Sequence, residues 1–222
     1  MKKLKDISQG GSVDMRSRLD KDLVELNDLL LEMSMLIETA IKKAITLLTE
    51  KDEKIAQEVY NYEERTDIFE GIIQKHCLKV FVEQQPAAGD LRKVSSALKM
   101  ITDMERIGDI SRDIAELCML LPEDYGNKFP KIREMAKATI DIVNNSINSF
   151  VNQDLEIAEK IESEDDIVDD YFSSIRDEFV DVIKSGLEPS YAIDFIMIAK
   201  YLERIADHAV NISEWVIFSI KG

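Results

Sequence analysis

Apolar residues recur at every third or fourth position along most of the chain, and this spacing predicts amphipathic helices. Between Asp20 and Glu50, leucine, isoleucine and methionine keep the spacing over about thirty residues. The same pattern restarts several times, each time after a short break. Six helices are predicted, over residues 20–50, 53–84, 91–121, 129–151, 155–184 and 191–220. The pattern therefore indicates an all-α fold.

Proline and turn-forming residues mark the breaks between these helices. Pro86 and Pro122 end the second and third helices, because proline lacks the backbone N–H that a helix interior needs. Asp90 is a candidate N-cap for the third helix. The stretch 122–127 is the clearest linker, since four of its six residues favour turns or caps. Residues 1–18 lack periodicity and are predicted to be a flexible N-terminal tail.

The two halves of the chain repeat each other. A shift of 98 residues places the stretch 104–109 on 202–207, and five of the seventeen positions in 98–114 are then identical. A shift of 102 residues places Glu63 on Asp165 and Asp67 on Asp169. The chain is therefore predicted to be two tandem three-helix bundles, one over 19–122 and the other over 123–222.

The charge balance is strongly acidic. The chain has 28 Lys and Arg against 44 Asp and Glu, which gives a formal net charge of -16. Such a surface repels phosphate backbones and anionic lipid heads, so nucleic-acid binding is not expected. Cations and basic surfaces of partner proteins suit it better.

The cysteines and the N-terminal residues indicate the cellular compartment in which the protein is expected. Cys77 and Cys118 each lie in an apolar helical stretch without metal-ligand spacing, and both are predicted to be reduced core residues. No run of 18 apolar residues occurs, and no apolar segment follows the basic first residues. We therefore expect a soluble cytoplasmic protein.

Acidic residues form a matching row in each half. The first row is Glu105, Asp109 and Asp113, spaced one helical turn apart, and its counterpart is Glu203, Asp207 and Asn211. Both rows are predicted to lie roughly opposite the apolar stripe and to face outward. A single acid pair at this spacing means little, because about nine are expected by chance in so acidic a chain. A solvated helix face is the plain alternative.

Recurrence of the row in both halves favours a metal site. Like charges one turn apart destabilise a helix by about 0.2 to 0.5 kcal/mol per pair, and a cation removes that cost. Carboxylates from the preceding helix would add hard oxygen ligands, which suit Mg²⁺, Mn²⁺, Ca²⁺ or ferric iron rather than zinc. The predicted ligands are Glu63, Asp67, Glu105, Asp109, Asp165, Asp169, Glu203 and Asp207, with Asp113, His208 and Asn211 as accessory candidates.

Catalytic motifs are absent from the sequence. A ferritin-like di-iron oxidase would need Glu-x-x-His, and neither Glu105 nor Glu203 has a histidine three residues on. The chain also lacks a glycine-rich phosphate loop, G-x-S-x-G and H-E-x-x-H. A non-enzymatic protein is predicted. A structural adaptor with purely solvating acids and a metal-dependent hydrolase of phosphate esters stay open as alternatives.

Two motifs carry a resemblance to a known family. The stretch 85–92 (QPAAGDLR), followed by 104–109 (MERIGD), resembles the first repeat of the PhoU phosphate-uptake regulators, and 201–212 resembles the second. The resemblance implies a pair of three-helix bundles whose surface holds multinuclear metal clusters through acid-x-x-x-Asp motifs. These motifs fall on Glu105 with Asp109, on Glu203 with Asp207, on Glu63 with Asp67 and on Asp165 with Asp169.

The resemblance also implies a function. It implies a negative regulator of phosphate uptake and of phosphate-starvation signalling. Such a regulator would dock to the ATPase subunit of a phosphate ABC transporter and to a histidine kinase at the inner face of the membrane. A homo-oligomer, such as a dimer, is expected, with partner-facing or motif residues at Asp90, Arg92, Arg106 and Arg204. The second repeat has residues 188–190 (EPS) where the first has 90–92 (DLR), so the halves need not bind equally.

Overall fold

The computed structural model describes residues 6–122 and 125–222, except for the side chains of residues 6–15, 125 and 126. Within these ranges the chain forms six long helices and one short helix, and no strand. The helices are α1 (Asp6–Thr46), α2 (Glu53–Gln84), α3 (Ala88–Leu120), α4 (Tyr125–Lys128), α5 (Lys131–Asn152), α6 (Leu155–Lys184) and α7 (Pro189–Lys221). The predicted all-α fold is confirmed.

The long helices form two bundles of three. Helices α1, α2 and α3 pack together, as do α5, α6 and α7. The bundles meet where α3 packs against α7, the most extensive helix contact in the described chain, and where α1 packs against α5. One hydrophobic core runs through both bundles, with Met104 of α3 and Leu202 of α7 fully buried. The sequence repeat therefore corresponds to a structural repeat of the three-helix bundle.

Local sequence explains where several helices begin and end. The carboxylate of Asp52 accepts a hydrogen bond from the backbone N–H of Lys54 at 2.8 Å and caps α2. Asp154 caps α6 in the same way, through the N–H of Ile157 at 3.1 Å. Gln85 and Gln153, with φ of 46° and 53°, end α2 and α5 in the left-handed conformation that commonly closes a helix.

The first helix begins earlier than predicted. It starts at Asp6 rather than near Asp20, so residues 6–18 are helical where a tail was expected; residues 1–5 lie outside the described part. Periodicity could not show this extension, because residues 6–18 lack an apolar stripe in the sequence. Arg16 instead pairs with Asp20 at 3.2 Å and reaches Asp90 of α3 at 2.7 Å.

The third helix also begins earlier than predicted. It starts at Ala88, which places Asp90 in its first turn and makes Ala87 the N-cap, so the capping role predicted for Asp90 is wrong. The carboxylate of Asp90 still lies near the positive end of the helix dipole. In the linker predicted at 122–127, residues 123 and 124 lie outside the described part, and the short helix α4 begins at Tyr125.

Both cysteines are free and buried, as predicted. Burial raises the pKa of the Cys77 thiol to about 12 and also raises that of Cys118, so both thiols stay protonated. Of the helices in the described ranges, none combines the length and the apolar character required to span a membrane.

Candidate metal centres

Carboxylates from two helices gather where α2 packs against α3. Glu63 and Asp67 come from α2, and Glu105 and Asp109 come from α3; we call these four residues the first carboxylate cluster. Carboxylate oxygens of Glu63, Asp67 and Asp109 all lie within 4.8 Å of one another. The sequence predicted that the acids of α2 would join the row on α3, and the structure brings them together.

A glycine allows α2 and α3 to approach closely at this cluster. Gly108 is buried between Glu105 and Asp109, and a Cβ atom at this position would lie 3.2 Å from Cγ2 of Thr66. Thr66 is fully buried, and its hydroxyl donates a hydrogen bond to the backbone carbonyl of Tyr62 at 2.9 Å. The missing side chain therefore sets how near the acids of the two helices can lie.

Burial and mutual repulsion both act on the first carboxylate cluster. Partial burial is the main cause that raises the pKa of Glu63, Asp67 and Glu105 above the ordinary values. Repulsion from the neighbouring Asp109 raises all three further. These three carboxyl groups are thus held in surroundings that disfavour their charged form unless a cation is near.

Two arginines offset part of this negative charge. Arg112 lies 3.4 Å from Glu63, while Arg106 lies 3.4 Å from Glu105 and 2.8 Å from Asp109. Two guanidinium groups against four carboxylates leave a net charge of -2 among these residues. The carboxylates therefore outnumber the basic side chains that pair with them, and part of their negative charge is left uncompensated.

The second carboxylate cluster lies between α6 and α7. It consists of Asp165 and Asp169 on α6 and of Glu203 and Asp207 on α7. Burial, followed by repulsion from Asp169, Asp207 and Glu203, raises the pKa of Asp165 to about 6. Its Oδ1 atom is buried and finds no hydrogen-bond partner in the described structure. A buried oxygen without a donor is costly, and a bound cation would remove that cost.

Basic residues are scarcer around the second cluster. Lys200 pairs with Glu203. Burial and repulsion from Glu203 raise the pKa of Asp169, and the nearby Lys200 partly offsets that increase. One ammonium group against four carboxylates leaves a net charge of -3 within this group of residues. The second cluster therefore carries more uncompensated negative charge than the first.

The acidic rows are less exposed at their first residues than the sequence predicted. The side chains of Glu105 and Glu203 are only 20% and 14% exposed, whereas Asp207 and Asn211, further along the second row, are exposed. The reason is that α3 contacts α1, α2 and α7 at once, and α7 contacts α3, α5 and α6. A helix with three neighbours buries a wider arc than its apolar stripe alone indicates.

The chemistry of both clusters is that of hard-cation ligands. Each offers four carboxylates at a helix contact and no thiol or imidazole, a set that suits Mg²⁺, Mn²⁺, Ca²⁺ or ferric iron. The two clusters also occupy equivalent places in the two bundles, α2 with α3 and α6 with α7.

A comparison with known protein families decides the relationship. The family model of the PhoU domain matches the chain twice, over residues 30–118 and 132–216. The chain belongs to the PhoU family. Each match covers one bundle, so each three-helix bundle is one PhoU unit.

Relatives and solved structures agree with this assignment. The PhoU homolog of Aquifex aeolicus, a phosphate-specific transport system accessory protein, is 33% identical over 189 residues, 84% of this chain and 86% of its own length. The Pseudomonas putida homolog is 30% identical over 208 residues, covering 92% and 81%. Crystal structures of PhoU from Pseudomonas aeruginosa and Streptococcus pneumoniae superpose with TM-scores of 0.82, at 28% and 25% identity. They cover 91% and 90% of this chain, and 99% and 96% of their own.

The accessory candidates lie at the contact between the two PhoU units, not in the clusters. His208 Nδ1 lies 2.9 Å from Asp103 Oδ1, and the amide of Asn211 donates a hydrogen bond to the same oxygen at 3.2 Å. Asp113 accepts a hydrogen bond from Tyr201. The predicted accessory role does not match this placement, because these side chains turn toward the helix of the other unit.

This contact obeys the internal repeat. The 98-residue shift relates Asp103 to Tyr201 and Asp113 to Asn211, so the same pair of positions is joined by hydrogen bonds at both ends of the α3–α7 contact. Asp103 and Tyr201 were missed in the sequence analysis. The repeat alignment could have pointed to them, because it aligns Asp103 with Tyr201. Each of the two side chains faces a polar partner on the opposite helix, beside the row of acids.

The remaining motif residues differ in their contacts. Arg106 pairs within the first carboxylate cluster, and Arg204 lies over the ring of Tyr201, 5.9 Å from its centroid. Asp90 pairs with Arg16, and Arg92 is half-buried with an Nε atom that finds no hydrogen-bond partner within the described ranges.

Proposed function

We propose that this chain is a non-catalytic regulator of a phosphate-specific transport system that carries metal ions in its two carboxylate clusters. The names of its relatives support the first half, because the Aquifex aeolicus and Pseudomonas putida proteins are both called phosphate-specific transport system accessory proteins. Membership of the PhoU family supports a regulatory rather than an enzymatic role.

One observation carries the metal-binding half of the proposal. Two sets of four carboxylates, built at equivalent helix contacts, keep net charges of -2 and -3 after their basic neighbours are counted. A divalent or trivalent ion, Mg²⁺, Mn²⁺, Ca²⁺ or iron, would neutralise this excess and join the two helices of each contact. A cluster with a bound ion would present a nearly neutral surface where the metal-free one is acidic.

The proposed partners are the ATPase subunit of a phosphate ABC transporter and a membrane histidine kinase. The chain would bind them in the cytoplasm, at the inner face of the membrane, and would restrain uptake when phosphate is plentiful. Its net charge of -16 favours partners with basic surfaces and speeds association with them. We propose that it acts as a homo-oligomer, such as a dimer.

Direct binding tests the regulatory role. Purified chain should bind the ATPase subunit of its own organism's phosphate transporter more tightly with Mn²⁺ than with a chelator. The variant Asp109→Asn/Asp207→Asn should lose the Mn²⁺-dependent part of the affinity. The matched control Asp141→Asn/Asp177→Asn changes two exposed acids elsewhere and should bind as the wild type does. Absence of binding to both the ATPase subunit and the kinase, in either condition, would contradict the role.

A second candidate function is a structural adaptor that binds no metal. The pairing of Arg106 with Asp109 and of Arg112 with Glu63 favours it, because these arginines already neutralise part of the first cluster. Equilibrium dialysis separates the two functions: the adaptor binds no Mn²⁺ or Mg²⁺ saturably, and the proposed regulator does.

A further inference from the structure

A third group of ligand-type side chains lies between α1 and α2, apart from both carboxylate clusters. Asp22 and Glu25 come from α1 and His76 from α2, and one ligand atom from each lies within 4.8 Å of the other two. These residues are separated by up to 54 positions in the sequence, and only the packing of α1 on α2 unites them. Unlike the clusters, this group contains an imidazole.

The histidine is held in the form that can bind a metal. His76 Nε2 lies 2.7 Å from the backbone carbonyl oxygen of Asp22. A carbonyl oxygen only accepts, so Nε2 carries the hydrogen, and Nδ1 of the neutral ring keeps its lone pair. The ring is 7% exposed, and Nδ1 is 3.9 Å from Glu25 Oε2, beyond hydrogen-bond distance. Metal-binding histidines are commonly fixed in this way, with the second nitrogen donating to a backbone carbonyl.

The two carboxylates can complete the set. Asp22 is 8% exposed; Lys79 Nζ lies 3.3 Å from its Oδ1, and Gln84 donates a hydrogen bond to its Oδ2 at 2.9 Å. Each carboxylate oxygen keeps a lone pair for a metal. The side chains of Glu25 and Lys79 are 62% and 48% exposed, so Glu25 can rotate inward and Lys79 can move away.

We propose that Asp22, Glu25 and His76 bind a divalent transition metal of the zinc class. Imidazole with two carboxylates is a donor set that Zn²⁺, Co²⁺ and Ni²⁺ accept, with a fourth position left to water. Ligands about 2.1 Å from a tetrahedral metal lie about 3.4 Å apart, so donors that lie within 4.8 Å of one another need to close by at most about 1.4 Å. The exposed Glu25 side chain has that freedom, and the bound metal would fasten α1 to α2.

The site belongs to the first PhoU unit alone. The 102-residue shift that relates the second helices places His76 on Glu178, which pairs with Lys131 at 3.0 Å. In the second unit an ammonium group thus lies next to the corresponding residue. The two units therefore differ in ligand chemistry, although their carboxylate clusters correspond.

A cobalt titration tests the proposal. The full chain, freed of metal, should bind Co²⁺ with a strong visible absorption band, because four-coordinate Co²⁺ with a nitrogen ligand absorbs far more strongly than octahedral Co²⁺ at all-oxygen clusters. Zn²⁺ should displace it. Glu25→Gln and His76→Gln should each weaken binding at least tenfold. Glu25 is exposed, so its variant keeps the fold and gives a clear result even if His76→Gln perturbs packing.

Two controls separate this site from the others. His208→Gln changes the only other histidine, and Asp109→Asn/Asp207→Asn changes both carboxylate clusters; each should leave the cobalt band intact. A wild-type protein without the band, a band that survives Glu25→Gln, or a band lost in His208→Gln would overturn the proposal. None of these results bears on metal binding at the clusters.

Discussion

At the residue scale, Asp165 best shows the electrostatic cost of placing carboxylates together in the second cluster. Burial and four neighbouring carboxylates raise its pKa to about 6, from an ordinary 3.8. The folded state therefore favours the protonated form more than the unfolded state does. Below about pH 4 the residue is protonated in both folded and unfolded states and costs nothing, whereas above about pH 6 the full cost of charging it is present.

Replacing Asp165 should stabilise the metal-free protein. Asp165→Asn is expected to raise the free energy of unfolding at pH 7.5 by about 1–2 kcal/mol, after allowance for solvent screening at a partly exposed site. The gain should fade as the pH falls from 6 to 4, because the wild-type carboxyl group becomes neutral. Urea denaturation with a chelator, at pH 7.5 and at pH 4.5, measures both values.

An exposed acid outside the cluster provides the control. Asp141 is exposed, and Asp141→Asn should change the free energy of unfolding little at either pH. If Asp165→Asn destabilised the metal-free protein at pH 7.5, the carboxylate would be held by favourable contacts, and repulsion within the cluster would not dominate.

The sequence predicted which carboxylates meet, but not their environment. The repeat alignment selected Glu63 with Asp67 and Asp165 with Asp169, because matched acids in two halves stand out from scattered ones. It could not show that Asp165 has a buried oxygen without a donor, since burial depends on the packing of α6 against α7. It also missed His76, whose partner on α1 is far away in the sequence.

At the element scale, the distance between α2 and α3 depends on Gly108. Any side chain there meets Thr66, which is buried and stiff because it is branched at Cβ. Gly108→Val should lower the free energy of unfolding by about 1–3 kcal/mol through overpacking. It should also weaken Mn²⁺ binding at the first carboxylate cluster, because the acids of the two helices move apart. Chemical denaturation and a Mn²⁺ titration measure the two effects.

Two further variants check the cause. Gly71→Ala places a Cβ in open space within α2 and should raise the free energy of unfolding by about 0.5–1 kcal/mol. Thr66→Ser removes the methyl group nearest to Gly108, so Gly108→Val should cost less in that background. An equal cost in both backgrounds would show that Thr66 does not limit the approach of the helices.

Helix identities were predictable, and the missed boundaries have physical reasons. Periodicity gave all six long helices because each buries a continuous stripe. It missed the part of α1 before Arg16, where the sequence has no apolar stripe, and the first turn of α3, where Asp90 was predicted to be a cap. In that turn the carboxylate of Asp90 forms a salt bridge with Arg16 of α1. This is a tertiary contact, which no local sequence pattern reveals.

At the scale of the whole molecule, the contact between α3 and α7 joins the two PhoU units. Asp103 accepts hydrogen bonds from two residues of α7, so Asp103→Ala should lower the free energy of unfolding by about 1–3 kcal/mol. Calorimetry should still show one transition, because the apolar core runs through both units. Two separated transitions in the wild-type protein would mean that the units unfold independently.

The account rests most directly on the metal content of the purified chain. After dialysis against Mn²⁺ and removal of free ion, elemental analysis should find bound metal in the wild type and in Asp141→Asn/Asp177→Asn. Asp109→Asn/Asp207→Asn, which removes one carboxylate from each cluster, should retain its helical fold and lose most of that metal. Equal metal content in all three proteins would contradict the assignment of the clusters as metal sites.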